Sequence, residues 1–202
     1  MLRVRLCGAV GVEADGRALP SSLLAGRQGR LVLAYLVCER HRAVPREELA
    51  ELLWAEQLPD SWPTSLSAVI SRLRRLLTEA GLDGTAALAG SAGSYRLHLP
   101  DGTWVDWEAA HASVATAEAA LAQGDGRTAL AASAEAAAIV EHGFLTDDCA
   151  WVDAQRDTAR DLAVRAQLAR AAAHLLEGSP HRAVETARAA LRTDPLREAG
   201  FR

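Results

Sequence analysis

Apolar residues from Ser61 to Gly81 recur at helical spacing: Leu66, Val69, Ile70, Leu73, Leu76 and Leu77 fall at i, i+3, i+4 and i+7. That spacing places them on one face of a helix that begins around Pro63 and Thr64 and stops at Gly81. The opposite face carries Thr64, Ser67, Ala68, Ser71, Arg72 and Arg75, with Arg74 on its edge. Small polar residues come first and guanidinium groups follow. Such a face suits a DNA major groove, where small side chains let the backbone approach and arginines reach guanine or phosphate. A solvated face of an amphipathic helix in an arginine-rich chain has the same pattern, so the neighbouring elements must separate the two readings.

Upstream, Leu2 to Leu6, Val10 to Ala14 and Arg17 to Leu19 alternate as short strands, with Asp15-Gly16 as a hairpin turn. Leu31, Leu33, Ala34, Leu36, Val37 and Cys38 predict a largely buried helix between Gly26 and Arg40. Pro45 at the first helical position, with Glu47 and Glu48 in the first turn, opens a second helix, Arg46 to Trp54, with Leu49, Leu52 and Leu53 on its face. After the long helix, Ala86 to Ala89 and Tyr95 to Leu99 read as strands around a glycine turn, Gly90 to Ser94. A hairpin placed there is the wing of a winged helix-turn-helix, with Tyr95 and Arg96 positioned for the sugar-phosphate backbone or minor groove.

The pattern changes beyond Pro100-Asp101-Gly102. Alanine-rich helical segments run from Trp107 to Gln123 and from Arg127 to Val140, broken by Gly124-Asp125-Gly126. A longer one spans Trp151 to Glu177, and after Gly178-Ser179-Pro180 another runs from His181 to Thr193, ended by Asp194-Pro195. Recurrent Gly turns and alanines at crossing points resemble tetratricopeptide (TPR) packing. The fold class expected is mainly α with small β-sheets: a winged helix-turn-helix over 1–102, then an all-α TPR-like repeat domain over 106–202. Leu196 to Arg202 would start another helix, so the repeat domain reads as truncated or completed by a partner.

Charge narrows the partners. All 22 cationic side chains are arginine, against 26 acids. Twelve arginines and eleven acids lie in Met1–Val105, and ten and fifteen in Asp106–Arg202, so a polyanion partner belongs to the first half. With a net charge of −4, binding has to come from a local patch. Arg27, Arg30, Arg40 and Arg42 flank helix ends and could neutralise phosphates or be merely solvated. Cys7, Cys38 and Cys149 are widely spaced and read as reduced, and the histidines show no ligand spacing, so no metal or cofactor is expected. There is no signal-like or membrane-length apolar run, which places the chain in the cytoplasm without membrane contact. No phosphate-binding loop or nucleophile elbow occurs, so no catalytic residue is assigned and an enzyme is not expected.

Val44-Pro45-Arg46-Glu47-Glu48-Leu49, Leu53-Trp54, Ile70-Ser71-Arg72-Leu73-Arg74-Arg75-Leu76 and Gly93-Ser94-Tyr95-Arg96-Leu97, in that order, resemble the OmpR/PhoB-type winged helix. Within that group the chain is similar to SARP-type activators, the antibiotic regulatory proteins of secondary metabolism, in which a bacterial transcriptional activation domain (BTAD) follows. The resemblance implies a sequence-specific activator on double-stranded promoter DNA. It also implies that the loop Ala55 to Trp62 faces RNA polymerase, through its sigma or alpha subunit, and that the helical domain serves homodimer formation or polymerase contact. In that loop Leu58 and Trp62 are apolar candidates and Glu56 and Asp60 charged ones, although Trp54 and Trp62 also suit packing beneath it. The chain departs from the family where larger recognition residues are common and Thr64, Ser67 and Val69 stand here. The alternative reading is a helical-repeat interaction module whose winged helix does not bind DNA.

Overall fold

A computed structural model describes residues 1–24, 26–55 and 57–193 of the chain. It divides into two compact units. The first comprises Met1–Trp104 and Asp147–Trp151; the second comprises Val105–Thr146 and the described residues from Val152 onward.

The first unit begins with antiparallel strands β1 (Leu2–Arg5), β2 (Gly11–Ala14) and β3 (Arg17–Ala18). The alternation of Leu2 and Val4 inward with Arg3 and Arg5 outward gives this sheet one apolar face. Asp15 and Gly16 take positive φ values of 49° and 80°, the conformation a tight two-residue hairpin turn needs. Helix α1 (Gly26–Cys38) is buried along Leu31, Val32, Leu33, Ala34, Leu36 and Val37, as its nearly continuous apolar run predicts. Strand β4 (Val44–Pro45) leads into α2 (Arg46–Trp54). Pro45 is the residue before the helix and not its first member: it pairs in register with Ser94, and the helix opens at Arg46. Leu49, Ala50 and Leu53 form the buried face of α2, while Leu52 is only half-buried.

Helix α3 (Trp62–Glu79) buries Leu66, Val69, Ile70, Leu73, Leu76 and Leu77, the six residues its period marks out. All but Val69 join Leu31, Leu36 and Leu49 among the fully buried side chains of the first unit. After α3 the structure departs from the sequence expectation. Ala86 and Ala87 lie in a short helix, α4 (Gly84–Ala87), because the Asp83 carboxylate accepts hydrogen bonds from Thr85 N and Ala86 N and holds a helical turn. Strand β5 is therefore Leu88–Ser91 and β6 is Ser94–Leu97, in antiparallel register Leu88 to Leu97 and Ser91 to Ser94. The turn shrinks to Ala92 and Gly93, both left-handed, at φ 47° and 79°. Strand order in this wing sheet is β4-β6-β5.

The second unit holds α5 (Asp106–Ala122), α6 (Gly126–Val140), most of α7 (Ala150–Leu176) and α8 (Pro180–Thr193). Alanines close the crossings: Ala117, Ala132 and Ala169 form one buried cluster, and Ala120, Ala129 and Ala173 another, with Leu121 against both. Small side chains let these helix axes approach, which is the TPR-like arrangement. Between α5 and α6, Gly124 is left-handed at φ 75° and Asp125 caps α6 through Thr128 N. Glu56 and the segment from Asp194 to Arg202, including the Asp194-Pro195 stop and the expected further helix, lie outside the described residues.

Candidate nucleic-acid interface

The outward face of α3 is open along its length. Thr64, Ser67, Ala68, Ser71, Arg72 and Arg75 are all exposed. The Ser67 hydroxyl donates to Pro63 O at 2.7 Å and the Ser71 hydroxyl to Ser67 O at 2.9 Å. With their protons spent on the helix, both serines offer lone pairs outward, which suits amino groups of adenine or cytosine. Ala68 adds a methyl group that can meet a thymine methyl. Arg72 and Arg75 stand one turn apart, and among the described residues neither has a hydrogen bond or ion pair.

Arg74 is different. Half-buried, it donates from Nε and from Nη2 to the carbonyl oxygen of Leu88, both at 3.0 Å, so the Nε–Nη2 edge of its guanidinium is occupied within the protein. Geometry gives it a place in the wing and not on the exposed face. In the wing Tyr95 is half-buried, and a side chain at Gly90 would come within 3.2 Å of its ring. Arg96 is exposed and donates from Nη2 to His41 O at 3.2 Å, leaving the rest of its guanidinium to solvent.

The four arginines flanking helix ends are all engaged within the protein. Arg30 makes a two-bond contact with Asp147 at 2.8 and 2.6 Å, and Arg27 donates to Asp148 O at 2.5 Å. Arg42 bridges Glu39 and Glu48, and Tyr35 donates its hydroxyl to the same Glu48. Hydrogen bonds from Arg42, opposed by partial burial and assisted by Tyr35, hold the Glu48 carboxyl below its ordinary range. Burial, then the bond to Glu48, pushes the Tyr35 phenol up to about 12. Arg40 is also in contact with neighbouring groups. The Arg30 link was not legible in the sequence, since Arg30 and Asp147 lie 117 positions apart. The cationic groups left facing outward near the wing and α3 are Arg72, Arg75 and Arg96.

In the loop after α2, Ala55 takes φ 47° and ends the helix, Leu58 is 48% exposed and Asp60 is exposed. Trp62 is the first residue of α3, half-buried, with the Arg46 guanidinium 5.7 Å from its ring centre. It braces the helix start as well as bordering the loop. Among the described residues no cluster of His, Cys, Asp and Glu is placed to hold a metal ion, and no helix is long and apolar enough to cross a membrane.

Comparison with known proteins follows the same geometry. Residues 23–89, which contain α1 to α3, match the family described as "Transcriptional regulatory protein, C terminal". The solved structure of Mycobacterium tuberculosis EmbR in complex with a low affinity phosphopeptide superposes with a TM-score of 0.88 at 29% identity, over 99% of this chain and 52% of that one. The winged-helix region is thus similar to that of transcriptional regulatory proteins, and the described fold is similar to that of EmbR. In sequence the chain is 38% identical to the transcriptional regulatory protein EmbR of M. tuberculosis over 98 residues, 48% of its own length and 24% of EmbR. It is 28% identical over 100 residues to the transcriptional regulatory protein MoaR1 of M. tuberculosis, 31% of that protein. The chain spans about half of the solved EmbR chain, and its sequence matches to the curated relatives cover about half of its own residues and a quarter to a third of theirs.

Proposed function

We propose that this chain is a sequence-specific activator whose first 102 residues bind double-stranded promoter DNA and whose residues 106–202, the activation domain, act through other proteins. Helix α3 lies in the major groove with Thr64, Ser67, Ala68, Ser71, Arg72 and Arg75 toward the bases and adjoining phosphates. Tyr95 and Arg96 in the β5–β6 hairpin meet the flanking backbone. The loop through Leu58, Asp60 and Trp62 meets the sigma or alpha subunit of RNA polymerase, the helical domain pairs two copies on tandem sites, and the site of action is the cytoplasm. Glu56 belongs to the same loop by sequence. The observation that carries the reading is the outward face of α3, where two arginines stand without a protein partner among the described residues beside small side chains and a wing.

The test is selection of duplexes from a random pool, followed by binding of the best duplex at two salt concentrations. Arg72→Ala or Arg75→Ala costs about 1 to 3 kcal/mol where a base contact is lost, and lowers the salt slope by about one unit where a phosphate contact is lost. Unchanged affinity and slope in both variants would reject this face, and failure to enrich any duplex would favour the protein-interaction reading.

A further inference from the structure

We propose that Arg74 is the positioning residue of the wing: by holding Leu88, it fixes the distance at which the β5–β6 hairpin and α3 read one DNA site together. The inference rests on the DNA-binding reading and assigns Arg74 a task within it other than touching bases.

Three observations support it. Among the described residues, Arg74 supplies the side-chain hydrogen bonds that reach β5, two of them converging on one carbonyl oxygen at 3.0 Å. Strand β6 is held separately, by its pairing with Val44 and Pro45, by Arg46 N on Gly93 O at 3.0 Å and by Arg96 on His41 O. The guanidinium therefore ties the remaining strand of the hairpin to the recognition helix. Second, the backbone of Arg74 is itself fixed. Thr78 Oγ1 donates to Arg74 O at 3.0 Å, and Gly84 packs so close that a Cβ there would lie 2.1 Å from the same oxygen. Third, a Cβ at Gly90 would lie 3.4 Å from Arg74 Nη2 and 3.2 Å from the Tyr95 ring, so the absence of a side chain lets the guanidinium and the aromatic ring close on the same strand. Arg75, one residue on, has none of these contacts and faces solvent.

A rigid link of this kind has a consequence for specificity. If helix and wing move as one piece, bases under α3 and the flank under the wing must be a set distance apart, and sites with altered spacing lose the wing contact. Charge-assisted hydrogen bonds hold such a link better than neutral ones.

The experiment compares the wild-type chain with Arg74→Met, which keeps length and helix propensity without a donor, and with Arg74→Lys, which keeps the charge and one donor group. The probe is the best duplex the wild-type chain selects from a random pool. With Arg74→Met, hydroxyl-radical protection on the wing flank and base preference there are lost, while preference under α3 is retained. Amide exchange in Leu88–Leu97 quickens about tenfold, as loss of a charge-assisted pair of bonds predicts. Arg74→Lys gives an intermediate exchange rate and recovers part of the flank protection. Loss of the preference under α3 with the flank intact would make Arg74 a base reader and overturn the proposal. So would unchanged exchange in the hairpin. Should Arg74→Met fail to fold, Arg74→Lys decides alone: wild-type exchange with weaker binding marks a phosphate contact and refutes the link. If the wild-type chain selects no sequence, the DNA-binding reading fails, and hairpin exchange still reports whether Arg74 holds the strand.

Discussion

Replacing Arg30 by Ala removes the guanidinium that serves Asp147, and the structure allows the cost to be worked out. The Asp147 side chain is 6% exposed, and Arg30 meets both of its carboxylate oxygens, at 2.8 and 2.6 Å. A surface pair would contribute about 0.2 to 1 kcal/mol. A buried pair broken on one side costs about 3 to 5 kcal/mol, because the remaining charge keeps its desolvation penalty and loses the compensation the removed partner supplied. Arg30 is itself one third exposed, so water reaches the space it vacates, and the lower end, about 3 kcal/mol, applies. In urea, with a slope of about 2 kcal/mol per molar for a unit of this size, the midpoint for the first unit falls by about 1.5 M. Trp151 reports on it directly: it belongs to the same Asp147–Trp151 segment and stacks edge-on against Tyr35 with ring centres 5.0 Å apart. Replacing both partners by apolar residues, Arg30→Met with Asp147→Leu, recovers most of the loss, since the charge and its partner go together. A midpoint shift of about 0.3 M or less for Arg30→Ala, the size of a surface pair, would refute the argument. So would a double variant no more stable than the single one.

Two further predictions follow from the same unit. Gly84→Ala puts a methyl group 2.1 Å from Arg74 O, a backbone atom that cannot swing aside, and destabilises the first unit by about 2 to 3 kcal/mol in denaturant titration. Tyr35, followed by phenolate absorbance in a Tyr95→Phe background, ionises at about 12. Because the folded value lies above the unfolded one, its stabilisation is complete below the unfolded value near 10 and disappears as pH rises toward about 12; Glu48→Gln brings the midpoint down. The stabilisation from Glu48 runs the other way, present above the ordinary carboxylate range and lost as pH falls through its lowered value.

The legible part of the fold was the part encoded locally. Leu66, Val69, Ile70, Leu73, Leu76 and Leu77 are each less than 5% exposed, because a 3.6-residue period needs no knowledge of what lies opposite. Glycine turns marked the breaks around α6 and before α8 for the same reason. The first wing strand misled because the alanines were read by the hairpin expected there. Asp83, two residues before Thr85, is a capping signal, and alanine favours the helical turn it starts. The two-residue turn carried less signal, since Ala92 in a left-handed conformation is a choice that side-chain type does not announce. Nothing near Arg27 or Arg30 in sequence indicated Asp147 and Asp148, because those contacts exist only after the chain has folded back.

The distribution of arginines carries the strongest argument about function. Counting charges gives the first half of the chain a near balance, which by itself says little about nucleic acid. Folding sorts the cations by neighbours: Arg27, Arg30 and Arg42 are tied to acids or carbonyl oxygens, and Arg74 to the wing. What remains outward near α3 and the wing is Arg72 and Arg75 on α3 and the partly engaged Arg96 on β6, while Arg3, Arg5 and Arg17 are exposed on the first sheet, Arg3 over the Trp104 ring and Arg5 beside Glu13. On the proposed DNA-binding reading, a net charge of −4 makes long-range attraction to a polyanion weak, and affinity then depends on short-range contacts that need a matched surface. If the proposed reading holds, such a surface gains little from nonspecific binding and much from correct placement of helix and wing, so the proposed link through Arg74 weighs on site choice more than its charge alone implies.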